Sequence, residues 1–215
     1  MSERYQNRNN SRPEGGRLPT IGVLAIQGDF IEHRRMLDAI GTESKEIRLP
    51  QQLEGLDGLI IPGGESTTIA QLIDIYGFRG PLRKQVKNGL AVWGTCAGMI
   101  MLSTKIQRPR RSRTASGASL HSGIATSRPT PLKLMGIEVT RNAFGRQIDS
   151  FEEDIKFDGI DGPPFPGIFI RAPMVNNIVA KEVQTLGVEK NGSPVAIKQN
   201  HMLATSFHPE LTSDN

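Results

Sequence analysis

The chain contains a single cysteine, Cys96, and its neighbours give it a chemical context: Gly94-Thr95-Cys96-Ala97-Gly98 sets a glycine two residues to either side of the thiol. A nucleophile on a sharp strand-turn-helix corner needs small residues at those two positions, because side chains there would strike the turn or an adjacent strand. The same corner aims the first backbone N–H groups of the following helix at the sulfur, favouring the thiolate, which is the reactive form. Against this stands the common fate of a lone cysteine as a small buried hydrophobe, and the glycines alone leave the two readings about even.

Two further segments supply what a thiolate would need. Ser206-Phe207-His208-Pro209-Glu210 places an imidazole and a carboxylate two residues apart directly after an apolar strand, so that His208 can exchange a proton with the thiol while Glu210 orients the ring. By itself His-x-Glu is a weak pattern, equally that of an exposed strand end. Ile61-Pro62-Gly63-Gly64-Glu65-Ser66-Thr67-Thr68 is a glycine turn running into a helix start. Backbone N–H groups freed there can hold a developing oxyanion, with Gly64 as one donor and Ala97, just after the nucleophile, as the other. The turn lacks the lysine of GxxxxGK[ST] and the spacing of GxGxxG, so nucleotide binding is disfavoured.

Positioning these segments requires a sheet. Thr20 to Gln27 is a short β-branched run that suits a buried strand, Phe30 to Ile40 has helical spacing and stops at Gly41, and Glu43 to Arg48 and Asp57 to Ile61 read as two more strands. Helices are expected near Ser66 to Ile75 and Pro81 to Asn88, a strand at Leu90 to Trp93, and a helix through Met99, Met101 and Leu102. This alternation predicts an α/β fold with a central, mostly parallel sheet flanked by helices. The second half is β-rich, with strands expected at Lys133 to Thr140, Gln147 to Phe157, Gly167 to Arg171, Glu182 to Glu189, Val195 to Gln199 and Met202 to Phe207.

Composition narrows the function classes. A chain of 215 residues with 37% hydrophobic content suits one domain, expected over residues 19–215 behind a disordered leader at 1–18. No apolar run approaches the roughly 18 residues of a bilayer helix, and the leader has no apolar stretch of the kind that an export signal carries, so a cytoplasmic protein with no membrane partner is expected. One cysteine forbids an internal disulfide, and with His33, His121, His201 and His208 there is no CxxC or HExxH, so neither metal nor cofactor is expected. The net charge of +4 is local: seven basic and no acidic residues fall between Lys105 and Lys133, leaving −3 for the remainder. Residues 107–131 are rich in Arg, Ser, Thr and Pro and lack apolar periodicity, which reads as a solvated, disordered insertion and not as a nucleic-acid site.

With these segments in place the chain resembles the triad glutamine amidotransferases, and among them the glutaminase subunits of pyridoxal 5'-phosphate synthase. The resemblance rests on GVLAIQG from Gly22, PGGESTT from Pro62, GTCAG from Gly94, RNAFGRQIDSF from Arg141, FIRAP from Phe169 and SFHPELT from Ser206, in the family's order. Cys and His-Pro-Glu elements are shared across the superfamily, whereas PGGEST, RNxFGRQ and FIRAP single out the vitamin B6 branch.

What the resemblance implies is a flavodoxin-like architecture and hydrolysis of L-glutamine to L-glutamate and ammonia by Cys96, His208 and Glu210 through a thioester. The ammonia would pass to a barrel-fold synthase subunit, whose docking completes the oxyanion hole. It also assigns the glutamine site to Gly64, Glu65, Ser66, Arg141, Ile170 and Arg171. The chemistry agrees, since a buried amino acid needs a cation for its carboxylate and an acceptor for its ammonium; which arginine meets the carboxylate stays open. His33, on a helix face, is expected to be a packing or interface residue and not a second base, Trp93 to lie in the core, His121 and His201 at the surface, and Gln27 on the partner-facing side of the pocket.

The family pattern differs at two places. The 107–131 segment is far longer than the family's loop, and the family continues past HPELT with an amphipathic helix where this chain stops at Asn215, so exposed apolar sheet surface is expected. Two alternatives remain: a catalytically impaired binding partner of the synthase, disfavoured by the intact Cys96, His208 and Glu210, and a glutaminase serving another synthase, disfavoured by PGGEST and FIRAP.

Overall fold

A computed structural model describes residues 17–107, 129–141 and 150–212. Almost all of the 1–18 leader and of the 107–131 segment lies outside the described residues, as does His121. A seven-stranded sheet organises the rest. Strands β1 (Ile21–Leu24), β2 (Ser44–Ile47), β3 (Gly58–Ile61), β4 (Ala91–Thr95), β10 (Val183–Val188), β11 (Pro194–Gln199) and β12 (Met202–Thr205) lie in the order β10-β11-β12-β4-β3-β1-β2. The five strands from β12 to β2 are parallel, and β10 and β11 extend one edge antiparallel.

Helix placement follows from the order of the strands. From β1 the chain moves outward to β2 through α1 (Phe30–Ala39), and from β3 it moves the other way to β4 through α2 (Ser66–Ile75) and α3 (Arg79–Lys87). Right-handed crossovers in opposite directions place their helices on opposite faces of the sheet. Ile69, Ile73, Leu82 and Val86 join α4 (Ala97–Leu102) and the sheet residues Leu59 and Ile61 in the main core. On the α1 face, Leu37 packs near Ile60, Trp93 and Leu203 around an apolar groove of about 250 Å³.

The second half is β-rich, as its sequence predicts. Strand β5 (Ser103–Gln107) pairs parallel with β6 (Met135–Thr140), and β9 (Met174–Ile178) pairs antiparallel on the far side of β6. Strands β7 (Ser150–Ile155) and β8 (Phe165–Ile170) form a two-stranded sheet. Strands β5 and β9 were not expected from the sequence. Ser103–Gln107 follows a buried helix with no Gly or Pro between them and has a single apolar residue, Ile106, while Met174–Ile178 carries Asn176 and Asn177, poor strand formers.

The β7–β8 pair has a positional role. A second core of Ile155, Phe169, Val195 and Phe207, joined by Phe151 and Phe165, seats it against β11 and the end of β12. The Phe207 ring lies 5.6 Å from those of Phe165 and Phe169, and the next residue, His208, donates its backbone N–H to Ile168 O at 2.8 Å. Phe207→Ala is expected to cost about 3–5 kcal/mol of stability, read as a lowered urea midpoint, because the ring is fully buried and its neighbours sit on three strands.

Candidate active site

Parallel strands β3, β4 and β12 end at one edge of the sheet, where open α/β sheets bind their ligands. The register sets Thr95 of β4 beside Thr205 of β12, and the Cys96 N–H donates to Thr205 O at 2.8 Å. The two chain segments therefore leave the sheet together, one into the Cys96 corner and the other into His208. Beyond β12, a single 3-10 turn (Pro209–Leu211) carries Glu210 back toward the His208 ring.

The corner is as tight as the glycine spacing predicts. Cys96 has φ 47° and ψ −103°, a left-handed conformation that costs a non-glycine residue on the order of 1–3 kcal/mol. A Cβ on Gly98 would run into the carbonyl oxygen of Ile61 in β3, and one on Gly94 would lie 2.6 Å from the Gly98 backbone. Neither contact can be relieved by a side-chain rotation. The thiol donates to Ile170 O at 3.8 Å, and the His208 ring lines the same cavity.

His208 Nδ1 lies 2.7 Å from Glu210 Oε1, and both side chains are shielded from solvent. Burial works against the imidazolium, but the hydrogen bonds to Cys96 and Glu210 outweigh it and raise the His208 pKa to about 10. Asp29, at the start of α1, brings Oδ2 to 3.5 Å from the same Nδ1; its own pKa is raised by burial, with the pull of His208 opposing. Asp29, His208 and Glu210 are the grouping among the described residues that could hold a metal, yet the 2.7 Å hydrogen bond already occupies two of the three donor atoms.

A cavity of about 330 Å³ opens in front of Cys96, a volume within the range of small-molecule sites. Its lining includes Gly64, Glu65, Ser66, Ala97, Arg141, Ile170, Arg171 and His208, so every residue singled out in the sequence for substrate or oxyanion contact reaches it; Glu210 stands behind His208. Asp29, Ile100 and Leu211 also line it and carried no sequence signal. Arg141 is tied to Glu65 Oε1 at 3.0 Å and to Thr67 at 3.1 Å, while Arg171 has no ion-pair partner among the described residues.

Three local features depart from the sequence reading. Gln27 does not line the cavity; its Oε1 accepts the Glu65 N–H at 2.9 Å and braces the glycine turn. Trp93 is only half-buried, with its indole N–H donating to Thr205 Oγ1 at 3.2 Å. His201 is exposed as expected but has a companion, the Val86 carbonyl, at 2.8 Å.

A family model for the SNO glutamine amidotransferase family matches residues 23–215. The chain belongs to the SNO glutamine amidotransferase family. Curated relatives include the pyridoxal 5'-phosphate synthase subunit PdxT of Dehalococcoides mccartyi, 47% identical over 195 residues and covering 91% of each chain. The protein of the same name from Streptomyces avermitilis is 48% identical, across 92% of this chain and 89% of that one. A crystal structure of a glutamine amidotransferase superposes with a TM-score of 0.76 at 43% identity, covering 90% of this chain and 92% of the other. In this member of the family the large, mostly parallel sheet is the one its sequence predicts. Among the described residues, no helix is long and apolar enough to cross a membrane.

Proposed function

We propose that the protein is the glutaminase subunit of a pyridoxal 5'-phosphate synthase and that Cys96, His208 and Glu210 are its catalytic residues. The reading is carried by one observation: the sheet brings the Cys96 thiol and the His208 imidazole to one cavity of about 330 Å³, with Nδ1 of the ring 2.7 Å from the Glu210 carboxylate. Relatives bearing the synthase-subunit name support the assignment of the partner.

In the proposed reaction the Cys96 thiolate attacks the side-chain amide carbon of L-glutamine. The N–H groups of Gly64 and Ala97 receive the oxyanion, and His208, as imidazolium, protonates the departing ammonia. Water then releases L-glutamate from the thioester, and the ammonia passes to the barrel-fold synthase subunit. The substrate's ammonium faces Glu65 and its carboxylate the arginines Arg141 and Arg171, with Ser66 and Ile170 completing the walls.

The experiment that tests the reading is glutamate release from glutamine by the purified chain, alone and with the synthase subunit of a relative. Release that depends on the partner and on Cys96 supports it; release indifferent to Cys96 ends it. For substrate binding, Arg141→Ala and Arg171→Ala are each expected to raise KM about tenfold or more while changing kcat less, because a charge-assisted contact to a carboxylate is worth roughly 1.5–3 kcal/mol. Steady-state kinetics on the folded variants checks this.

A further inference from the structure

The Glu210 carboxylate has one oxygen in a strong hydrogen bond and one without any. Oε1 meets His208 at 2.7 Å, whereas Oε2, on a side chain wholly shielded from solvent, has no conventional hydrogen-bond partner. An ionised oxygen in that position calls for a donor. The group that faces it is His33 of α1, whose Nε2 lies 3.3 Å from Oε2 and 3.0 Å from Thr95 Oγ1.

We propose that His33 is a positioning residue for the reaction: as a neutral imidazole protonated on Nε2, it donates to Glu210 Oε2 and holds the carboxylate in the orientation that presents Oε1 to His208. The proposal rests on the glutaminase reading above.

The tautomer follows from what surrounds the nitrogen. A bare Nε2 lone pair 3.3 Å from a carboxylate oxygen would be repulsive, whereas an N–H there can be shared between Oε2 and the Thr95 hydroxyl. The ring has little freedom to turn away. His33 is 2% exposed, its backbone N–H donates to Asp29 O at 3.3 Å, and the ring stands edge-on to Trp93 at 6.2 Å.

Neutrality matters as much as the donor. Burial lowers the His33 pKa; Glu210 and Glu32 pull it upward, His208 pushes it down, and the outcome is below the ordinary value. A charged His33 would compete with His208 for the same carboxylate, weakening the attraction that keeps His208 protonated. A neutral donor orients Glu210 and leaves its charge directed at His208. Asp29 is the other charged group near the relay, and it faces His208, not His33. Because Thr95 immediately precedes Cys96, the contacts run from Thr95 through His33, Glu210 and His208 to the thiol, bracing both ends of the site.

The test compares His33→Leu, which removes the donor, with His33→Gln, which restores a neutral one. Each variant is first checked for native circular dichroism and for binding to the synthase subunit. Glutamate release by the complex is then followed across pH, together with the rate at which iodoacetamide alkylates Cys96 in the chain alone. His33→Leu is expected to lower kcat roughly ten- to a hundredfold, part of what a positioned acid–base pair contributes, with little change in KM. Its pH–rate profile should also move toward higher pH on the acid side, because the relay has lost a hydrogen bond to its charged form. His33→Gln should recover most of both.

Wild-type kcat and pH profile in folded His33→Leu would overturn the proposal. So would equal losses in both variants with no pH shift, the mark of a packing role. If wild type releases no glutamate, the glutaminase reading fails, and the alkylation profile still decides His33: slower alkylation in His33→Leu, restored in His33→Gln, supports it, and no difference overturns it. Should the leucine variant fail to fold, His33→Asn, whose shorter amide stops before Oε2, takes its place.

Discussion

Cys96→Ala is expected to abolish partner-dependent glutamate release, with a fall of roughly 10⁴-fold or more, since removing the nucleophile of a catalytic triad leaves only what binding and the oxyanion donors provide. His208→Asn should fall nearly as far, because in the proposed reaction the ring protonates the leaving ammonia. Glu210→Gln should retain more, because its proposed part is to orient and charge the ring without touching the substrate. The three losses should not add: combining Cys96→Ala with either of the others should cost little beyond Cys96→Ala alone. Additive losses would mean that the residues do not act as a unit.

The same site makes a prediction about pH. The folded-state pKa of His208, raised to about 10, lies above its ordinary 6.5. A raised histidine contributes stability that is fully present below the unfolded value and is lost as pH rises through the folded one. The imidazolium thus persists through neutral pH, and the stability it contributes should decline as pH rises from about 6.5 toward 10, read as a falling urea midpoint. In His208→Asn that part of the decline should be absent. A wild-type midpoint no more sensitive to pH than the variant's over this range would mean that the ring is not held as an imidazolium.

Much of this was legible in the sequence because the decisive constraints are local. The glycines around Cys96 reflect a steric limit set within five residues, and His208 with Glu210 reflects a separation of two. Parallel-sheet strands are short continuous apolar runs, so β1, β3 and β4 stood out against their flanking turns. What stayed hidden depends on distant pairing. The Arg141–Glu65 contact joins residues 76 apart, and that of His33 with Glu210 joins elements at opposite ends of the chain. His33 looked like a packing residue because its own helix offers no partner for the ring. Asp29 reads as an ordinary helix start until the glycine turn is seen beside it, its N–H donating to Gly63 O at 3.2 Å.

Gly98→Ala is expected to be one of the more damaging single methyls among the described residues, lowering stability by about 3 kcal/mol or more and removing activity in whatever fraction folds. Ordinary overpacking costs about 1–3 kcal/mol because side chains can shift. Here the new Cβ would meet the Ile61 carbonyl oxygen, which belongs to β3 beside the corner strand. Relief would require either β3 to move, with Pro62 to Gly64 behind it, or α4 to lift off the sheet. Both displace the parts that the chemistry needs, Gly64 in the first case and Cys96 with Ala97 in the second. Gly80→Ala, in α3, is the matched control: nothing lies within 4 Å of its added methyl and its backbone is not left-handed, so helix propensity predicts a gain of about 0.5–1 kcal/mol. Urea unfolding of the two variants separates the claims. A Gly98→Ala protein as stable as wild type, with activity retained, would show that the Cys96 corner tolerates a side chain and that glycine there does not mark a steric limit.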